Sequence, residues 1–343
     1  MYDYIIVTHI PVFYKVNLYN ELAKKLNILV IFIAKNTNEL RADDFITLEN
    51  CRFEYNVLYD GDLEDRNIIT NIIKLKKILK ECQYQRILVG GWNLKEFWYI
   101  VFTNHKSKNR LVLESTINES KIDSIRGIMK KMFVKRISLV FASGSLHREL
   151  LYKLCYKGKT LITKGVGIIN KPSLNHIKRE YKKRFLYIGR LSKEKNVELL
   201  VDVFNDLDDY TLTIIGTGPL ELSLKSKAKE NIIFKGQIGN QELKQYYDRN
   251  NILVLTSISE TWGLVVEEAL YFGIPVIVSN KCGICEIIKE DVNGYIVDLK
   301  NTQNIKDIIL KIDNAAYQKL VDGVEQFSVN NKDIEQLRVY FAK

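Results

Sequence analysis

Short, unbroken runs of apolar and β-branched residues recur along this chain, each followed by a longer stretch with helical spacing. In the first half the runs are Tyr4–Thr8, Ile28–Ala34, Ile87–Gly90, Leu111–Glu114 and Leu139–Ala142. In the second half they are Phe185–Gly189, Thr211–Gly216, Ile232–Phe234, Ile252–Thr256, Pro275–Ser279 and Tyr295–Val297. Continuous runs, as opposed to alternating ones, mark strands covered on both faces, as in parallel sheets. Between the first two runs, Val16, Leu18, Tyr19, Leu22, Ala23 and Leu26 fall at helical spacing. Two series of β-α-β alternation predict an α/β protein with two doubly wound halves. At 343 residues the chain is too long for one compact core and comfortable for two.

The join is expected in the polar, Pro172-containing stretch Asn170–Arg184. That places a first domain at 1–172 and a second at 180–327, with a helix at about 328–343 as a candidate to pack back on the first. A composition of 46% hydrophobic and 27% charged residues excludes disordered and fibrous classes. No apolar run approaches the ~18 residues of a membrane span. Asp3, His9 and Lys15 interrupt the first 20 residues, which do not read as a signal peptide. The five cysteines, Cys51, Cys82, Cys155, Cys282 and Cys285, are scattered and odd in number. A reducing, cytoplasmic setting is the expectation.

Charge divides unevenly. Residues 1–178 hold 29 Lys and Arg against 17 Asp and Glu, a surplus of 12, whereas 179–343 hold 22 against 24. A basic half suits a polyanion or an anionic surface. Nucleic acid is a poor fit, because no helix-turn-helix signature, metal-spaced Cys/His set or RNP motif is present.

Ligands of open α/β sheets bind beyond the carboxyl ends of the strands. After Phe185–Gly189 comes GRLSKEKN, where Gly189 permits a tight turn and Arg190 and Lys195 precede a helix. Two cations beside exposed N–H groups suit a diphosphate. After Thr211–Gly216 comes GTGP, with Gly216 and Gly218. The third glycine of a dinucleotide fingerprint would fall at Glu221, and the first strand runs into HIPVFYK without glycine, so a nicotinamide or flavin enzyme is excluded. After Ile252–Thr256 comes SISETWG, then a helix from about Leu264 that Gly273 closes. Glu260 lies in that loop and Glu268 about one turn into the helix, beside the orphan N–H groups of Gly263, Leu264 and Val265. Acids for sugar hydroxyls next to N–H groups for phosphate fit a sugar nucleotide. Glu267 is adjacent to Glu268 but points about 100° away on a helix.

The segment from Glu260 to Glu268 resembles the E-x(7)-E motif of family-four retaining glycosyltransferases. GRLSKEKN, IIGTGP, IIFKGQI and YFGIPVIVSNKCGICEII are similar to that family's other motifs in order and spacing, over about residues 185–300. The resemblance implies a GT-B fold of two Rossmann-like domains facing a cleft, a nucleotide-sugar donor and retention at the anomeric carbon. It implies that Arg190 and Lys195 stabilise the departing diphosphate and that Glu268 holds the ribose hydroxyls. Glu260 and the backbone of Thr261, Trp262 and Gly263 would hold the donor sugar, with Leu264 and Val265 donating to phosphate. The backbone of Gly236, Gln237 and Ile238 would read the base edge. No resident cofactor or metal is expected, and a UDP-sugar is favoured on family frequency. Two departures stand out: Trp262 where Phe is usual, and Cys282 in place of the first Gly of a Gly-Gly pair.

The first half is expected to hold the acceptor, a glycan or lipid-linked glycan of bacterial surface polysaccharide synthesis. Candidates at its strand ends are His9, Trp92, Glu114 and Ser115. In Lys121–Arg136, Ile122, Ile125, Met129, Met132 and Phe133 form one stripe among six cations, Lys121, Arg126, Lys130, Lys131, Lys135 and Arg136. That profile suits an anionic membrane surface, met by the basic face while the stripe packs inward, and hence a peripheral location on the inner face of the cell membrane. The alternatives are a GT-B sugar epimerase or phosphorylase, whose cofactor lysine has no place here, and a basic nucleic-acid-binding protein.

Overall fold

The structure, a computed structural model, describes residues 1–39, 41–174, 179–301 and 303–341. Residues 175–178 of the expected join and the last two of the expected terminal helix lie outside the described residues. The chain divides into two compact units, Met1–Ile168 with the chain from Asp333 onward, and Ile169–Lys332.

The first unit runs β1 (Tyr2–Thr8), α1 (Phe13–Ala23), β2 (Ile28–Phe32), β3 (Glu54–Val57), α2 (Ile68–Glu81), β4 (Tyr84–Val89), α3 (Lys95–Thr103), β5 (Asn109–Leu113), α4 (Ile125–Lys135), β6 (Leu139–Ala142), α5 (Ser145–Lys153) and β7 (Lys159–Ile162). Its strands form one parallel sheet in the order β3-β2-β1-β4-β5-β6-β7. Successive strand residues serve opposite faces. Ile5, Val7, Leu29, Ile31, Ile87 and Val89 pack under Leu75, Phe97, Ile100, Phe133 and Leu150 of the helices α2 to α5. Tyr4, Ile6, Val30, Phe32, Leu88 and Phe141 pack under Val16, Tyr19 and Leu22 of α1. Two covered faces are the physical reason for unbroken apolar runs.

The second unit runs β8 (Arg184–Ile188), α6 (Val197–Asn205), β9 (Thr211–Ile215), α7 (Glu221–Lys227), β10 (Ile232–Phe234), α8 (Lys244–Arg249), β11 (Ile252–Leu255), α9 (Leu264–Tyr271), β12 (Val276–Ser279), β13 (Gly294–Val297), α10 (Gln303–Lys311) and α11 (Asn314–Gln326). Its parallel sheet has the order β10-β9-β8-β11-β12-β13. The last helix, α12 (Val329–Phe341), begins in this unit and ends in the first, where Tyr340 stacks on Phe141 at 4.5 Å.

Two strands have no counterpart in the apolar runs. β3 and β7 are edge strands, and Glu54, Tyr55, Asn56 and Lys159 are exposed. An edge strand covered on one side carries no continuous apolar signature. The division between units falls at Ile168, ahead of the polar stretch, because Ile168 packs in the core of the first unit. At the other end the second unit runs on to Lys332, which a buried ion pair to Glu267 holds there.

The expected stripe of α4 splits in two. Phe133 is fully buried, but Ile125, Met129 and Met132 stand exposed together with Ile128, and Ile122 precedes the helix. Gly127 is where the helix lies against the segment that leads into it: a Cβ there would lie 1.7 Å from the Ile122 carbonyl oxygen. Phe133 and Val134 face the core of the first unit, and the isoleucines and methionines face outward. Two of the six cations are also turned inward. Lys130 donates to Ser120 (3.1 Å) and lies 5.0 Å over the Trp92 ring, and Arg136 donates to the Asn104 carbonyl (2.9 Å). Lys121, Arg126 and Lys135 are exposed. Among the described residues no helix is long and apolar enough to cross a membrane.

Candidate active site

Parallel strands deliver all their carboxyl ends to one edge, and in the second unit that edge gathers the loops that carry the sequence motifs. Backbone bonds knit them together. The Leu191 N–H donates to the Thr217 carbonyl (2.9 Å), and the Gly216 N–H to that of Gly236 (2.7 Å). The Ile258 N–H reaches the Glu194 carbonyl (2.9 Å), and the Gly283 N–H that of Glu260 (3.0 Å). Glycine is required where loops touch. Gly216 has φ +128°, and a Cβ there would lie 2.0 Å from the Gly189 carbonyl oxygen. At Gly218 a Cβ would meet the Leu191 backbone at 2.5 Å. At Gly189 the constraint is not a left-handed turn but the Tyr187 hydroxyl, 2.7 Å from where a Cβ would stand.

Lys195 and Glu260, 65 residues apart, form an ion pair in a largely buried setting. Arg190 is exposed, and its guanidinium makes no hydrogen bond among the described residues. Gly263, at φ +110°, starts α9. The N–H groups of Leu264 and Val265 have no acceptor among the described residues, as expected of a helix start. Thr261, Leu264 and Val265 are half-buried. Gly236 has φ +67° and open space around its Cβ position, Gln237 is exposed and Ile238 half-buried. This edge therefore offers unused N–H groups, a free guanidinium and an ammonium held by a carboxylate. An anion with attached hydroxyls is the ligand such a set can hold.

Glu268 is 9% exposed and accepts a hydrogen bond from the Tyr247 hydroxyl (2.7 Å). Tyr247 is itself buried and stacked on Phe272 at 4.7 Å. Burial, then the charge of Glu268, pushes that phenol well above its usual pKa, so it stays a donor. Sequence reasoning missed Tyr247, for which a residue 21 positions from its partner gives no periodic signal.

Three side chains beside this edge are closed off from it. Trp262 offers no side chain to a ligand: its ring is 1% exposed and its indole N–H donates to Glu267 Oε1 (2.5 Å). Glu267 is fully buried, with Oε2 accepting from Lys332 Nζ (2.7 Å). Cys282 is the third such side chain. It is fully buried, bridged to Glu260 by backbone pairing, and burial pushes its thiol far up in pKa.

At the carboxyl edge of the first sheet, His9 Nε2 donates to Asn93 Oδ1 (2.9 Å) and its ring meets Phe97 edge-on. Burial, with the charge of Lys15, lowers the His9 pKa to about 4, so the imidazole is neutral near pH 7. Glu114 pairs with Lys15 at 2.9 Å, the lysine side chain 8% exposed and the glutamate 26%. Burial disfavours the Lys15 charge, but the adjoining Glu114 carboxylate more than reverses that and raises its pKa. Ser115 is half-buried. Trp92 is a core residue, 9% exposed and capped by Lys130, and has no open face for a sugar. Lys15 was not foreseen, because a lysine within a helical pattern reads as solvated.

Comparison with known proteins adds an independent line. The family described as "Glycosyl transferases group 1" matches residues 173–323, nearly the whole second unit. Over those residues the chain resembles a group 1 glycosyl transferase domain. An uncharacterised protein of the cps region of Klebsiella pneumoniae is 32% identical over 143 residues, 41% of this chain and 39% of that protein. This chain thus spans about two fifths of that relative. The O-antigen biosynthesis glycosyltransferase WbnH of Escherichia coli is 28% identical over 75% of this chain and 73% of its own. Among solved structures, HepE of Anabaena in complex with UDP and glucose aligns over 100% of both chains with a TM-score of 0.72 at 15% identity. That likeness establishes the GT-B architecture, two parallel-sheet α/β domains, and the residues that match the family model fall in its second half.

Proposed function

We propose that this protein is a glycosyltransferase of the retaining, metal-independent type, which moves a sugar from a UDP-sugar to a glycan or lipid-linked glycan in surface polysaccharide synthesis. The observation that carries the reading is the cluster at the carboxyl edge of the second sheet: Arg190, the Lys195–Glu260 pair, the free N–H groups of Leu264 and Val265, and the Tyr247-held Glu268. Relatives named for O-antigen synthesis and a cps region support the acceptor class. A neighbour of the same fold holding UDP and glucose supports the donor.

In this reading the α9 N–H groups and Arg190 grip the diphosphate. Lys195 exchanges its contact with Glu260 for the phosphate oxygen on which charge grows as the anomeric bond breaks. Glu260 is then released to accept from a sugar hydroxyl, and Glu268 accepts from the ribose. Stabilising charge that appears in the transition state is what accelerates the step. In this front-face reading the leaving phosphate assists removal of the acceptor proton on the same face, and configuration is retained. Near the acceptor, Glu114, fixed by Lys15, and Ser115 offer hydroxyl partners, and neutral His9 lies at the end of β1.

The exposed stripe Ile125, Ile128, Met129 and Met132, with Lys121, Arg126 and Lys135, supports peripheral attachment to an anionic membrane face. The test is a panel of UDP-, GDP- and ADP-sugars, scored by calorimetry and by release of nucleoside diphosphate with and without chelator. Binding confined to UDP compounds and chelator-resistant turnover are expected. Turnover that needs added manganese or magnesium, or binding to none of the panel, overturns the reading. The anomeric proton coupling of the product decides retention.

A further inference from the structure

Glutamate is almost never fully buried unless it is paired. Glu267 is 0% exposed on α9, flanked by the buried Val266 and Ala269, and both its oxygens are engaged. Oε1 accepts from the Trp262 indole and Oε2 from Lys332, itself only 4% exposed. Trp262 lies at the middle of the loop assigned to the donor sugar. Its carbonyl accepts from the Ile284 N–H (3.0 Å), and Glu260 is tied on its other side to Gly283 and Lys195. The loop is thus gripped from two sides by backbone and an ion pair, and from below by the indole. Lys332 sits in the first turn of α12 and is the last residue of the second unit.

We propose that Glu267 and Lys332 are positioning residues for the donor loop: their buried ion pair fixes the Trp262 indole, and through it the backbone of Thr261–Gly263, and makes the first turn of α12 part of the donor site's support. The inference rests on the donor-binding reading of that loop. A closed ion pair in a dry interior has one geometry of low energy, because any separation leaves two charges without solvent. The indole donor is aimed at a carboxylate that cannot swing away. A shift of the α12 first turn therefore changes the geometry offered to the sugar, and donor occupancy holds that turn in place.

The test uses the full chain with four variants: Glu267→Gln, Lys332→Met, the two combined, and Trp262→Phe. Three quantities are read: the UDP dissociation constant by calorimetry, hydrogen exchange of amides 258–265 relative to those of β8 without ligand, and the melting temperature. Each single change takes from one buried charge its opposite partner, so UDP affinity falls about tenfold. Loop amides exchange about fivefold faster. The combined variant keeps an acceptor for the indole and removes the stranded ammonium, so both readings return to near the wild-type values. Trp262→Phe keeps an aromatic ring, smaller and without the N–H, which speeds loop exchange. Lower melting temperatures with unchanged UDP affinity and loop exchange overturn the proposal and leave the pair as a prop of the fold. If the wild type binds no UDP, the donor reading fails, and loop exchange alone decides positioning. If the single variants do not fold, the combined variant and Trp262→Phe carry the same decision.

Discussion

Replacing Ile125, Ile128, Met129 and Met132 together by Gln tests whether α4 seats the protein on a membrane. These side chains keep 78, 59, 46 and 51% of their surface exposed. Full burial of an Ile or Met is worth about 1.5–3 kcal/mol, so removing only those exposed fractions from water is worth about 3.5–7 kcal/mol. If half is realised at a lipid interface, losing about 2 kcal/mol weakens partitioning about thirtyfold. Lys121, Arg126 and Lys135 add about 1 kcal/mol each next to anionic lipid, and salt screens that share alone. The assay is sedimentation with anionic and with neutral vesicles at low salt and at about 0.5 M salt. The wild type should pellet with anionic vesicles at low salt and stay partly bound at high salt. A Lys121→Glu, Arg126→Glu, Lys135→Glu variant should lose the salt-sensitive share, and the Gln variant the salt-resistant one. Both should keep wild-type nucleotide affinity, because every donor loop belongs to the second unit. A Gln variant that pellets like the wild type refutes the apolar argument, and a wild type that ignores anionic vesicles refutes membrane seating altogether.

Glu268→Ala should weaken UDP binding by about 1.5–3 kcal/mol, the worth of a hydrogen bond to a charged acceptor. Tyr247→Phe should weaken it less, since the carboxylate stays; calorimetry on both decides, and equal losses would mean that Tyr247 is what matters. Arg190→Ala and Lys195→Ala should lower kcat more than they raise KM for the donor sugar, because both meet charge that grows at the transition state; a pure KM effect would place them in ground-state binding. Acid should destabilise the first unit. His147 is fully buried, and burial lowers its pKa to about 4; His9 has the same value. The unfolded chain takes up these protons near pH 6.5, so stability present above that pH is lost as the pH falls towards 4. At pH 5 the loss is about 2 kcal/mol per group. Urea melts of the wild type and His147→Gln at pH 7 and pH 5 check this: the variant should lose less on acidification, and an identical loss would show that His147 does not titrate on unfolding.

How much was legible in the sequence differs by region. Unbroken apolar runs at Ile28–Phe32, Leu139–Ala142 and Ile252–Leu255 announced buried parallel strands, because a strand covered on both faces has no polar side to show. The edge strands Glu54–Val57 and Lys159–Ile162 were not announced, because their backbone pairing does not depend on apolar side chains. The loops proposed to hold the donor were legible as spacing. Gly216 and Gly218 stand where loops cross backbone to backbone, and Glu260 and Glu268 straddle a helix start, so local chemistry carries the signal.

The sequence by itself determined two parallel α/β halves, a basic first half and the glycine, lysine and glutamate positions in the loops of the second. Those properties follow from residues within a turn or a strand of one another. Tertiary structure decided which charges are free and which are spent. It buried Glu267 and Lys332 as a pair, gave Lys15 to Glu114, turned Lys130 over Trp92 and left Ile125 and Met129 in solvent. The partners in these pairs are separated by up to 99 residues of chain. A charge or a methyl group is read by its surroundings, and at such separations only the packed fold supplies them.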